Sequence, residues 1–225
     1  TDSQAGLYHV VGLATAWPQE FSSASNQSMQ DAVDTLRAAG ALVAVAHPYW
    51  SGQMSRDLLD IEGCFALEIY NGGCEVDDAK GFSTIHWDDL LAAGRKLWGI
   101  AVDDAHWRND SKDAGLGWVW LKAPTLTQEA ILQALEQGHF YASTGPQIYD
   151  LNLEGTRVWV RCSPSRAIDF VGDGPRSQRV TAAPGETLTE ATAWLKWQQR
   201  YVRVACQDFD GCWAWSNPIW IQTEE

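Results

Sequence analysis

The sequence predicts an α/β domain over residues 1–146, with a largely parallel sheet or barrel, followed by a small all-β module over residues 147–225, most simply a β-sandwich. Three observations lead there. Over the first part, short apolar runs alternate with segments whose apolar residues recur every three or four positions, which is the pattern of strand–helix units. Beyond Thr144-Gly145-Pro146 the helical period stops, and short alternating runs separated by turn-forming residues take its place. Hydrophobic residues make up 45% of the 225-residue chain, enough to fill packed cores.

Taken in order, the run from Tyr8 to Ala14 reads as a strand, followed after the polar stretch Ser22 to Asn26 by an amphipathic helix over 28–39. Its apolar Met29, Ala32, Val33 and Leu36 fall on one face, and Gly40 stops it. Ala41 to Ala46 is a strand of the buried kind that runs into His47-Pro48. Phe65 to Tyr70 is the next strand, Thr84 to Ala93 a helix closed by Gly94, and Leu97 to Val102 a strand that stops at Asp103-Asp104. Trp118 to Leu121 and Phe140 to Ser143 read as short strands flanking a helix over 127–137. After Pro146, strand patterns occur at Val158 to Arg161, Ile168 to Val171, Tyr201 to Ala205 and Ile219 to Ile221, with a helical turn at Glu190 to Trp194. Gly172 to Pro175, Pro184-Gly185 and Asp208 to Gly211 are the turn signals between them.

Charge narrows the function classes. Sixteen Lys and Arg stand against 29 Asp and Glu, a formal net charge of -13, so a long nucleic acid would bind against the field of the protein. The longest apolar stretch, Ala41 to Ala46, is far short of the roughly 20 residues of a membrane span. Cys64, Cys74, Cys162, Cys206 and Cys212 are odd in number and show no CxxC spacing, which reads as free core thiols in a reducing cytoplasm. Most of the 13 Trp read as core, with pairs such as Trp213 and Trp215 at strand alternation; a carbohydrate-binding platform is the alternative use.

The five His are few enough for their positions to inform. His47 and the pair Asp104 and His106 each follow the C-terminal end of a buried-type strand, where functional groups of parallel α/β folds collect. Imidazole and carboxylate donors converging on one concave site are what Zn, Mn or Fe ions require. His9, near the start of its strand, fits a ligand or an ordinary structural side chain. Glu68 must face such a site or be paired, because an unpaired buried carboxylate is costly, and Asn71 is a turn former or a ligand. His86 and His139 read as structural, and Asp77-Asp78 and Asp88-Asp89 as solvated faces. Ser143 and Cys64 have no adjacent base, and nucleophile-elbow, P-loop and dinucleotide signatures are absent.

The strings Ala46-His47-Pro48, Leu67-Glu68-Ile69-Tyr70-Asn71-Gly72 and Asp103-Asp104-Ala105-His106 resemble the later motifs of the PHP (polymerase and histidinol phosphatase) superfamily. They are most similar to its carbaryl-hydrolase-like branch of metal-dependent phosphoesterases. Gly117 to Trp120, Ala134 to Pro146 and Ala214 to Ile219 extend the resemblance over nearly the whole chain. It implies an incomplete PHP-type (β/α)7, TIM-like barrel carrying two or three divalent metal ions (Zn, Mn or Fe) at the strand C-termini. His9 and His47 would share one ion, Asp104 would serve a second and His106 a third. Glu68, Asn71 and Asp103 would lie beside the ligands or touch substrate.

The family's His-x-His, Thr-Asp-His and bridging Glu, expected before His9, do not occur. The chain is therefore expected to start after about three strands of such a barrel. Fewer or no ions would then be bound, activity would be low, and open strand edges would be covered by self-association or by a further N-terminal segment. The expectation is a cytoplasmic phosphoesterase that hydrolyses a small phosphoester or nucleotide with a metal-activated water and no protein nucleophile, with Arg56, Arg95 and Lys112 available to an anion. The alternative is a non-catalytic degenerate barrel whose Trp-rich β domain serves as a binding or scaffold module.

Overall fold

The computed structural model describes residues 8–13, 28–107 and 112–221, which divide into two compact units. Thr1, Ala14, the stretch Ser22 to Asn26 and Gln222 lie outside the described residues. The first unit runs to Leu116 and includes Leu121–His139; the second comprises Gly117–Trp120 and the chain from Phe140.

In the first unit, β1 (His9–Leu13), β2 (Leu42–Ala46), β3 (Cys64–Asn71) and β4 (Trp98–Val102) form one sheet in the order β1-β2-β3-β4. The pairs β2–β3 and β3–β4 are parallel, whereas β1 runs antiparallel to β2 and sets His9 opposite Ala46. Strands β2 and β3 are buried almost throughout, as parallel strands covered on both faces are. Helices α1 (Met29–Ala38), α2 (Ser55–Leu58), α3 (Gly72–Asp78), α4 (Thr84–Ala92) and α5 (Gln128–Glu136) complete the unit. Helix α1 starts where Ser28 and Asp31 cap each other's backbone N–H groups, and its Val33 and Leu36 pack with Val10, Ala41 and Val43. The fully buried Trp87 of α4 donates its indole N–H to the Leu97 carbonyl at 2.9 Å. The helix can come this close because Gly99 of β4 has no side chain: a Cβ there would lie 2.9 Å from Trp87 and Ile69.

In the second unit, β5 (Trp118–Leu121), β6 (Phe140–Ser143), β9 (Ala167–Gly172), β10 (Gln178–Thr181), β12 (Tyr201–Gln207), β13 (Trp213–Ser216) and β14 (Ile219–Trp220) form one sheet. Its order is β10-β9-β12-β13-β6-β5, with β14 also on β12. Strands β7 (Ile148–Glu154), β8 (Arg157–Ser165) and β11 (Leu188–Trp194) form a second, antiparallel sheet in the order β11-β8-β7. Inward residues of both sheets, among them Val158, Val160, Ile168, Phe170, Val202 and Val204, share one core.

The (β/α)7 barrel expected from the resemblance is not present, even in incomplete form: the described residues hold three sheets and about twice as much strand as helix. Two features account for the difference. Strand β1 enters antiparallel, which no βα unit does. Strands β5 and β6, read as the continuation of the α/β alternation, instead join the sheet of the second unit, where β6 pairs antiparallel with β13. The half-exposed face of β5 suits an antiparallel sheet and contrasts with the buried β2 and β3. The helical turn expected at Glu190 to Trp194 is also corrected, since these residues pair with β8 as part of β11. No helix among the described residues is long and apolar enough to cross a membrane.

Candidate metal centre

Antiparallel pairing of β1 carries the start of that strand to the edge where β2, β3 and β4 end, so His9, His47, Glu68, Asn71 and Asp104 meet there. The Nδ1 of His9 lies 3.0 Å from Nε2 of His47. The backbone N–H of His47 donates to Oε2 of Glu68 at 2.9 Å, and the Asn71 amide donates to the same oxygen at 2.9 Å and to Oδ2 of Asp104 at 3.2 Å. One hydrogen-bonded chain thus joins the ends of β2, β3 and β4. Asn71 is fully buried, and its Oδ1 accepts from the Cys74 N–H, capping α3. The cap can approach β4 because Gly73 donates its N–H to the Asp103 carbonyl at 2.7 Å, and a Cβ there would lie 2.9 Å from the Asp104 carbonyl oxygen.

His47 and Asp104 both have left-handed backbones, with φ of 26° and 51°. For residues other than Gly this costs about 1 kcal/mol or more and is found where the surroundings over-determine a functional position. Burial holds the His47 imidazole below its ordinary range, and the neighbouring His9 acts the same way against the backbone hydrogen bond and the Asp104 carboxylate. His47 is therefore neutral near pH 7 and has a lone pair to offer. Its Nδ1 is 3.1 Å from the Ser51 hydroxyl, so a proton kept on Nδ1 and donated to that oxygen leaves Nε2 as the donor atom facing His9. Burial pushes the Glu68 carboxyl up to about 7, against its hydrogen bonds from Asn71 and His47.

His106 follows in the loop after β4. Its Nδ1 is 2.7 Å from the Asp104 carbonyl, which only accepts, so Nδ1 carries the proton and Nε2 is left open. Buried Asp113 holds this loop by accepting from the N–H groups of His106 and Trp107 at 2.7 and 3.2 Å. Asp103 instead fastens the loop before β5, where its carboxylate accepts from the backbone N–H groups of Gly115 and Leu116 at 2.6 and 2.7 Å. Arg95 is engaged by the carbonyls of Leu59 and Ile61 and by Glu62, and Arg56 pairs with its neighbour Asp57.

Trp50, Ser51 and Asp113 do not stand out in the sequence. The Trp50 ring packs edge-on against His47 at 5.0 Å and lies 6.0 Å from His9, with its indole N–H donated to Asp78 at 2.6 Å. The signal for Trp50 and Ser51 is their place in the tight turn after His47, closed by the Ser51 N–H on the His47 carbonyl at 3.1 Å. Nothing local marks Asp113. The competing nucleophiles are unsuited, since burial pushes Cys64 up to about 11 and buried Ser143 donates to the Pro146 carbonyl at 2.6 Å.

Two imidazole nitrogens brought to 3.0 Å by rings that meet edge to face are donors of the type a divalent ion takes. Ligands at about 2.0–2.1 Å from a tetrahedral ion stand roughly 3.3 Å apart, close to the separation of the His9 and His47 nitrogens. The fit in donor number is incomplete: no three His, Cys, Asp or Glu side chains among the described residues converge on one point. Asp104 and His106 stand beside the imidazole pair without closing a coordination sphere with it. No family model, curated protein or solved structure matches the chain.

Proposed function

We propose that the edge formed by His9, His47, Asp104 and His106 holds a divalent metal ion, such as Zn, Mn or Fe, and that the protein is a metal-dependent hydrolase of small phosphoesters. What carries the reading is the 3.0 Å approach of the His9 and His47 ring nitrogens beside Asp104. The resemblance of the Ala-His-Pro and Asp-x-His strings to PHP phosphoesterases points to the same chemistry without calling for a barrel. His9 and His47 are the residues that would hold the ion, beside Asp104. An ion bound there would supply Lewis acidity and would make water a better nucleophile near neutral pH. Glu68 and Asn71 keep the His47 and Asp104 loops in register, Trp50 packs against the imidazole pair on one side, and the Nε2 of His106 is open to accept a hydrogen bond from water or a substrate hydroxyl.

Because two imidazoles are fewer than the three or four protein ligands of a tight site, the expected affinity is weak. The test is Zn²⁺ or Mn²⁺ titration by calorimetry into the metal-stripped, tag-free chain, with hydrolysis of bis(p-nitrophenyl) phosphate and p-nitrophenyl phosphate followed in parallel. One equivalent bound, and turnover abolished by His47→Ala, is the expected result; absence of binding at millimolar metal overturns the reading. A second reading, a metal-binding module without turnover, is favoured by the incomplete donor set, and binding without hydrolysis of either ester would select it.

A further inference from the structure

In the second unit, the inward residues of β8 are Val158, Val160 and Cys162, and those of β12 are Val202, Val204 and Cys206. The two rows belong to different sheets and fill the same core. Each therefore ends in a cysteine at the same alternation, and the two cysteines are 1% and 0% exposed. Strands β8 and β12 touch directly across this core. The two thiols share a hydrogen bond, which pushes Cys206 up as the group that keeps its proton; the Cys162 sulfur also lies 3.6 Å from the Ser165 hydroxyl.

We propose that Cys162 and Cys206 are a disulfide-forming pair that staples the three-stranded sheet to the larger sheet under oxidising conditions. The other cysteines are placed elsewhere: Cys64 and Cys74 in the first unit, and Cys212 in the turn before β13. With glutathione disulfide as oxidant, one cysteine thiolate attacks a glutathione sulfur and displaces a glutathione thiolate. The second cysteine thiolate then attacks the mixed disulfide and displaces the other. Two protein S–H bonds are lost and one S–S bond forms, and the two electrons and two protons end on two glutathione thiols. Because both sulfurs are buried, exchange proceeds in the refolding chain or through opening of the core.

The test is to refold the full chain in a glutathione redox buffer, alkylate under denaturing conditions, and map the peptides. The expected product is two hydrogens lighter before alkylation, carries alkyl groups on Cys64, Cys74 and Cys212, and yields a linked Cys162–Cys206 peptide. Its melting temperature should exceed that of the dithiothreitol-reduced protein by about 10 °C, and this difference should vanish in Cys162→Ala and in Cys206→Ala. Alkylation of all five cysteines, or linkage of either residue to a different cysteine, overturns the proposal. The peptide map on the unaltered sequence decides the matter even where a variant fails to fold.

Discussion

His9 Nδ1 and His47 Nε2 lie 3.0 Å apart across 38 residues of chain, held there by the antiparallel register that seats His9 opposite Ala46. Each imidazole should then matter to metal binding more than His106, whose Nδ1 is held by the Asp104 carbonyl outside the pair. His9→Ala and His47→Ala are each expected to weaken Zn²⁺ binding by about 100-fold, and His106→Ala by less than about tenfold. Calorimetric titration of the three variants checks this, and equal losses for all three would refute the pairing.

Glu68 provides a pH prediction. Its folded-state carboxyl is raised from an ordinary 4.5 to about 7 by burial, so the folded protein prefers the protonated acid. The contribution of Glu68 to stability is full below pH 4.5, falls as pH rises toward 7, and is lost above it. Moving a carboxyl this far costs the ionised form on the order of 3 kcal/mol. Both partners donate to one oxygen, Oε2, and an amide oxygen can accept both bonds. Glu68→Gln in metal-free buffer is therefore expected to match the parent near pH 4.5 and to exceed it by about 2–3 kcal/mol at pH 8 in urea unfolding. An equal difference at both pH values would contradict this origin.

Asn71 caps α3 and donates to two carboxylates from a fully buried position. Asn71→Ala removes the cap and leaves Glu68 with the His47 N–H alone. The expected loss is about 3 kcal/mol of stability, with weakened metal binding in the same variant. A loss under about 1 kcal/mol in urea unfolding would show that the network is dispensable.

Ala79 ends α3 with φ 55°, a conformation that suits Gly. Ala79→Gly should stabilise the protein by about 0.5–1 kcal/mol, whereas Ala130→Gly inside α5 should cost about 1 kcal/mol. Melting curves of the two variants should move in opposite directions.

Much of the first unit was legible in the sequence. Helix α1 follows from apolar spacing and the Gly40 stop, and the places of His47 and Asp104 follow from apolar runs that end at them. The direction of β1 was not, because an apolar run such as His9 to Leu13 reads alike in either orientation, and only pairing with β2 decides it. The barrel failed for a related reason. Short strings around strand ends carry no information on strand partners, and β6 finds its partner in β13, far along the chain. Asp103 shows the limit at a single residue: beside Asp104 in sequence, it commits its carboxylate to the loop at Gly115 and Leu116.

Among the described residues strand β1, like β4 at the opposite edge, pairs with one neighbour, so half of the imidazole pair sits on an edge element of the sheet. Local opening of that strand separates His9 from His47 while the rest of the sheet persists. A ligand that needs both rings must then slow amide exchange in β1 in proportion to its affinity, by the same mass action that ties binding to stability. The protection of the Val10 to Leu13 amides thus becomes a direct gauge of how firmly the edge is occupied.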